Sequence, residues 1–197
     1  MSRRAVLGIA FALVAIAAAW VLFVGLPRWY SARRAASVDA AASAALPQPA
    51  ASAVRKITAT LYYVTEDGMS LTPAQREVPF AAAVTDQARA IVEAQLAPAV
   101  PLVSAIPPDT KLREVFVTER GDAFVDLSGE VASKHPGGSL DEIFTVYTIV
   151  NALTVNLPAI KRVQILVDGK EVDTLAGHVD LRHPLAKSLD WVIHDTH

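Results

Sequence analysis

The chain has no cysteine in its 197 residues. That excludes a disulfide, a thiolate catalyst and a lipid-modified cysteine, without choosing between reducing and oxidising compartments. It also has no Walker-type phosphate loop and no G-x-S-x-G elbow. Ser128 stands instead in Asp126-Leu127-Ser128-Gly129, and no base is placed for it by spacing. Asp126 and Ser128 are therefore read as closing a strand and bonding local backbone. A basic excess is missing from most of the chain. Residues 56–197 hold 12 Lys/Arg against 19 Asp/Glu, a net of −7. Phosphate binding needs cations to release counterions, so nucleic acid is not an expected partner. Two groups, His178/Asp180/His183 and His194/Asp195/His197, are close enough in sequence to raise a metal question. On a strand, positions 178 and 180 face one way and 183 the other, and the second group sits at a chain end. No metal, cofactor or catalytic set is expected.

Charge is absent altogether from Ala5–Leu26. These 22 residues are long enough to cross the ~30 Å hydrocarbon core as a helix. They account for much of the 52% hydrophobic content and the mean hydropathy of +0.33. Trp29 and Tyr30 follow as an interfacial aromatic pair. An uncleaved membrane anchor over residues 1–30 is the favoured reading. The alternative is a signal peptide cut at Ala17-Ala18-Ala19, but Trp20 to Val24 simply continue the apolar run. Arg3 and Arg4 on one side balance Arg28, Arg33 and Arg34 on the other, so charge alone does not orient the segment. Residues 31–55 are rich in Ala, with Pro47 and Pro49 and no apolar periodicity, and read as a linker. Residues 56–197 form the folded domain.

The strongest local pattern runs from Ser139 to Gly169. Leu140, Ile143, Phe144, Tyr147 and Val150 repeat at helical spacing, and Pro158 stops the helix. Ser139 and Glu142 fit a capping box. Asn151 and Thr154 interrupt the apolar arc. They are either ligand contacts or, as favoured here, a backbone partner and a bond back to the carbonyl of Val150. Val163, Ile165 and Val167 then alternate as a strand, and Asp168-Gly169 turns it. Upstream, Ile57 to Val64 read as a strand and residues 69–84 as a loop with a short strand near Arg76–Phe80. A helix follows, capped by Thr85 or Asp86, with Ala88, Ile91, Val92 and Leu96 buried. Leu112–Thr118 and Ala123–Leu127 make a hairpin. Val172–Leu175 suggest a return strand and Pro184–His194 a short helix. The order β-α-β-β-α-β predicts an α+β fold, one antiparallel or mixed sheet covered by two helices.

Several of these pieces, in this order, resemble a known family. They are Leu61-Tyr62-Tyr63-Val64, Ile106-Pro107, Thr110-Lys111-Leu112, Val125-Asp126-Leu127-Ser128 and Asn151-Ala152-Leu153-Thr154. Val163–Val167 with Asp168-Gly169, then Gly177-His178-Val179-Asp180, complete the set. The stretch 57–184 resembles the GerMN domain of sporulation and spore-germination proteins. Ala97-Pro98 departs from the family's usual Gly-Pro at a helix end. The resemblance implies an α+β domain similar to ring-building motifs, a cell-envelope location and non-catalytic scaffolding without a cofactor. Asp126, Ser128, Asn151, Thr154, Asp168 and Gly169 are its family-motif positions, structural or at an interface. It further implies a bacterial cytoplasmic-membrane protein, single-pass through Ala5–Leu26, with its domain outside the cytoplasm assembling with itself or other envelope proteins. A sensor of a small ligand or cell-wall fragment is the alternative, and it would need a pocket near Asn151.

Overall fold

A computed structural model describes residues 55–193. The proposed anchor Ala5–Leu26, residues 31–54 of the linker and the group His194, Asp195 and His197 lie outside the described residues.

The first unit is a hairpin. β1 (Lys56–Val64) and β2 (Leu71–Pro79) pair antiparallel, Lys56 opposite Pro79 and Val64 opposite Leu71. Ala59, Leu61 and Tyr63, at alternate positions of β1, are fully buried. β2 is a full nine-residue strand where only a short one near Arg76–Phe80 was expected. Its sequence hid it because Pro73, Gln75 and Glu77 face water, leaving Leu71 and Val78 as its only buried residues.

Next comes α1 (Val84–Leu96), which buries Ala88, Ile91 and Val92 and stops at Ala97, before Pro98. It begins earlier than expected. Ala83 is the N-cap, and neither Thr85 nor Asp86 caps it with a side chain. The entry is held by Gln87 instead. Its side-chain amide accepts from the N–H of Ala81 and donates to the carbonyl of Pro79.

The second sheet is mixed. β3 (Leu112–Val117) and β4 (Asp122–Leu127) form the expected hairpin. From β4 the chain passes through a short helix, α2 (Glu130–Ser133), and the long α3 (Ser139–Asn156) into β5 (Arg162–Val167), which pairs parallel to β4. A parallel pair needs such a crossover. The far side of β5 takes β6 (Lys170–Glu171) and β7 (Leu185–Ala186), both antiparallel. The fold is thus α+β, but with two sheets, a hairpin and a five-stranded mixed sheet, in place of the single sheet expected. Val172–Leu175 form no strand, since pairing ends at Glu171. The described part of Pro184–His194 is a two-residue strand followed by irregular chain rather than a helix. Phe144, Ile149, Val150 and Leu153 of α3 sit in the common core with Leu61, Ile91, Val125 and Ile165.

The strand edges are closed by side chains. Phe80 N–H bonds to the carbonyl of Arg55, which sets the hairpin's parity. Odd residues of β1 face β2, and even ones direct their backbone groups outward. Among these, Tyr62 is held at both N–H and C=O by the amide of Gln95, at 2.9 and 2.8 Å. Thr60 is held the same way by Asn156, at 2.8 and 2.7 Å. Val64 donates to the carbonyl of Val103. On the outer edge of β2, Leu71 exchanges bonds with Trp191 and Ile193. Pro73 and Pro79 also face outward and have no N–H to offer.

Candidate functional site

β4 and β5 run parallel and in register, so they end together, and the polar residues at their C-terminal ends converge. Asp126, opposite Leu166, is 6% exposed. Its Oδ2 accepts from Arg113 Nε at 2.9 Å and its Oδ1 from the N–H of Gly169 at 2.7 Å. Asp168 and Gly169 form the turn, with φ of 51° and 76°. A positive φ is accessible to Gly and tolerated by Asp. Asp168 in turn accepts the N–H of Gly129 at 3.2 Å, and Arg113 Nη1 lies 3.6 Å from the same oxygen. Ser128 exchanges bonds with Lys111: its N–H donates to the carbonyl, and its Oγ accepts the N–H at 3.0 Å. The Ser128 hydroxyl also holds the Glu130 carboxyl below its ordinary value. Asp126, Ser128, Asp168 and Gly169 are thus one brace between two strand ends and the segment entering β3. Its carboxylates face a guanidinium and backbone N–H groups, and among the described residues no imidazole or amine hydrogen-bonds the Ser128 hydroxyl.

Asn151 and Thr154 do not join this group. Asn151 is fully buried. Its Nδ2 donates to the carbonyl of Ser188 at 2.7 Å, and its Oδ1 accepts the Ser188 N–H at 3.2 Å. Thr154 donates to the carbonyl of Val150 at 2.7 Å. Both ends of the Asn151 amide are thus engaged by the backbone of Ser188. Two surface crevices, of about 310 and 430 Å³, lie elsewhere, one beside Val64 and Val103 and the other beside Pro98 and Pro107.

A second polar centre was missed in the sequence. Glu142 does not cap α3, whose N-cap is Gly138 at φ 90°. Its carboxylate is fully buried and gathers the loop after β6. Oε1 accepts from Leu175 and Ala176 N–H at 2.7 and 2.9 Å, and Oε2 from His178 N–H at 2.7 Å. Burial by itself raises this carboxyl, but the N–H groups of Ala176, His178, Leu175 and Val179 outweigh it and hold the group below its ordinary value. A signal was present: Glu142, Val146, Ile149 and Leu153 share one helix face, so its carboxylate lies on the buried side. His178 Nδ1 also lies 3.2 Å from Glu142 Oε2, whereas Asp180 pairs with Arg182 at 2.7 Å. The two residues diverge. Among the described residues, no three His, Asp or Glu side chains gather as metal ligands would. Among them too, no helix is long and apolar enough to cross a membrane.

Residues 60–173 match the Germane family model, described as sporulation and spore germination. No curated protein matches the chain. Among solved structures, the tandem GerMN domains of the sporulation protein GerM from Bacillus subtilis align with a TM-score of 0.52 and 17% identity, over 67% of this chain and 46% of that one. The chain thus spans about half of the tandem structure, and the likeness supports the fold. The first GerMN domain of the same protein aligns at TM-score 0.49 and 18% identity, over 66% and 97%. A Clostridium perfringens protein described as a lipoprotein aligns at TM-score 0.49 and 26% identity, over 68% and 90%. With a family match over more than half of its length, the chain belongs to the Germane family of sporulation and spore germination domains.

Proposed function

We propose that this is a non-catalytic cell-envelope protein whose residues 56–197 act outside the cytoplasm by protein–protein assembly. Ala5–Leu26 holds it in the cytoplasmic membrane as a single pass, and residues 31–55 are the tether. One observation carries the reading: the polar motif residues are spent internally while a large apolar residue stands in solvent. Asp126, Ser128, Asp168, Asn151 and Thr154 all bond within the domain. Phe116 is 56% exposed and lies opposite Phe124 on the paired strand. The charges beside this pair are neutralised from within, Asp122 by Arg162 and Asp126 by Arg113. An aromatic patch without net charge suits a protein surface. Confinement to a membrane raises effective concentration, so a weak contact there can still operate.

The test uses the absence of native cysteine. Single cysteines at Lys134, Lys170 and Phe116, oxidised in intact cells, are expected to give a ladder of adducts or one specific heterologous adduct. Phe116→Glu should deplete the adducts made from the other positions. No adduct from any position, with full labelling by a membrane-impermeant thiol reagent, would remove the assembly claim and keep the topology. Release of the chain by alkaline carbonate would remove the anchor.

A further inference from the structure

The tip of the β1–β2 hairpin is widened by two loops. Val103 pairs with Val64 on one edge and Val192 with Leu71 on the other. Four segments therefore lie side by side there, roughly 14 Å across. Around this row Met69, Val100, Val103, Trp191 and Ile193 are 63, 90, 55, 37 and 42% exposed. A crevice of about 310 Å³ opens along the Val103 edge, lined by Val64, Pro101 and Leu102, with Glu66 at its side. Residues 61–73, 97–108 and 188–193 make this end, and they contain no Lys or Arg. Their three acids, Glu66, Asp67 and Asp190, are all exposed.

These acids differ from those around the five-stranded sheet. There Asp122 pairs with Arg162, Asp126 with Arg113 and Asp109 with Lys134. Among the described residues no cation pairs with Glu66, Asp67 or Asp190. Uncharged donors hold two of them in place instead. Asp67 accepts from the Thr65 hydroxyl and the Met69 N–H, which keep its carboxyl below its ordinary value. Asp190 accepts from the Ser188 hydroxyl at 2.8 Å. These two charges are thus fixed before anything binds, so less side-chain freedom is lost on binding. An apolar row beside unpaired carboxylates fits apolar side chains flanked by cations. The same end of a second copy would set like charge against like, and an anionic lipid surface would do the same.

We propose that this end of the domain docks a basic, apolar segment of another protein. An extended stretch of about five residues spans the row. One apolar side chain enters the crevice beside Val103 and others cover Met69 and Trp191, while Lys or Arg meets Glu66, Asp67 and Asp190. This surface goes beyond the contact made through Phe116, which lies on the other sheet.

The test uses the scarcity of methionine. The chain has two, Met1 and Met69, so an isotope-labelled methionine methyl reports on this end directly. The full chain in phosphatidylcholine nanodiscs is titrated with a hexapeptide of alternating Lys and Leu. The Met69 methyl resonance is expected to shift to saturation, and neither a Glu/Leu nor a Lys/Ser hexapeptide should move it. Glu66→Gln, Asp67→Asn and Asp190→Asn together should weaken binding roughly tenfold. Glu93→Gln, Glu119→Gln and Glu171→Gln remove the same charge from exposed acids elsewhere and should change affinity less than about twofold. Val103→Ser keeps every charge and should weaken binding through the lost apolar contact. Equal losses in the two triple variants would reduce the binding to net-charge attraction and overturn the site. A shift with either control peptide overturns it too, and so does the absence of any shift at millimolar Lys/Leu peptide. A Met69 shift produced by raising the protein concentration alone would assign this end to a second copy instead. Phe116→Glu should leave the titration unchanged, and a failed titration leaves the adducts from Lys134 and Lys170 as they stand.

Discussion

Glu142 shows how much one side chain can organise. It is a lone acid on the buried face of α3, and it fixes a loop that has no ladder of its own between Glu171 and Leu185. Its replacement by Gln keeps the shape but turns an acceptor into a donor facing N–H groups. The cost at neutral pH should be about 2–3 kcal/mol, the range for charge-assisted bonds left unmade. The sign of the pH effect follows from the depressed carboxyl. Its stabilisation is complete above the unfolded value of about 4.3 and fades as pH falls through the folded one. Thermal melts of Glu142→Gln and the parent protein should therefore differ by a constant amount from pH 5 to 8 and converge toward pH 3. A gap that stays constant down to pH 3 would show that the carboxylate charge is not what holds the loop. Asp126 is the opposite kind of residue, legible in the sequence as the close of a strand. Even so, its partners Arg113 and Gly169 could not be named before β4 and β5 were known to run parallel.

At the scale of elements, legibility followed periodicity. The α3 helix, the β3–β4 hairpin and the strand before Asp168-Gly169 could be read from their apolar spacing, although on α3 Leu140, Ile143 and Tyr147 of the expected stripe are only partly buried and the buried face is centred on Val146, Ile149 and Leu153. β2 could not, because its two buried residues, Leu71 and Val78, stand at opposite ends and on opposite parities, and the strand carries two prolines. The loop from Val172 to Pro184 was invisible for a related reason: what orders it lies on α3, far away in sequence. Amide side chains are a recurrent device that no local pattern announces. Gln87, Gln95, Asn151 and Asn156 each clasp both an N–H and a C=O of a distant or adjacent segment. Their cost of removal should scale with burial. Gln95→Ala strands both backbone groups of the buried Tyr62 and should cost about 2–4 kcal/mol, while Asn156→Ala, where Thr60 is half-buried, should cost about 1–2. Urea midpoints at unchanged m-values would measure both. Equal losses would mean that the amides act through packing of their stems and not through the bonds.

At the scale of the whole molecule, the question is which surfaces remain available to another one. The helices and the core leave Phe116 exposed on one sheet and Met69 exposed at the tip of the hairpin sheet. Both are surfaces of side chains, and neither is an open backbone ladder. The outward residues of β2 show what this prevents. Between Leu71, already bonded to Trp191 and Ile193, and Pro79, whose carbonyl is taken by Gln87, Pro73 removes the one further donor that would make the run continuous. Only the N–H groups of Gln75 and Glu77 remain, too few to template a neighbour's strand. Where copies are held close together, as the proposed membrane anchor would hold them, an unguarded edge would polymerise. Pro73→Val with Pro79→Val restores two donors to a strand whose flanking residues already favour extended geometry. The variant should keep its melting transition within a few degrees, because the outward face is exposed, yet form thioflavin-positive fibres on prolonged incubation while the parent stays clear. If the variant also stays clear, the charges at Arg76 and Glu77 are sufficient guards, and the prolines are there for the turns they border.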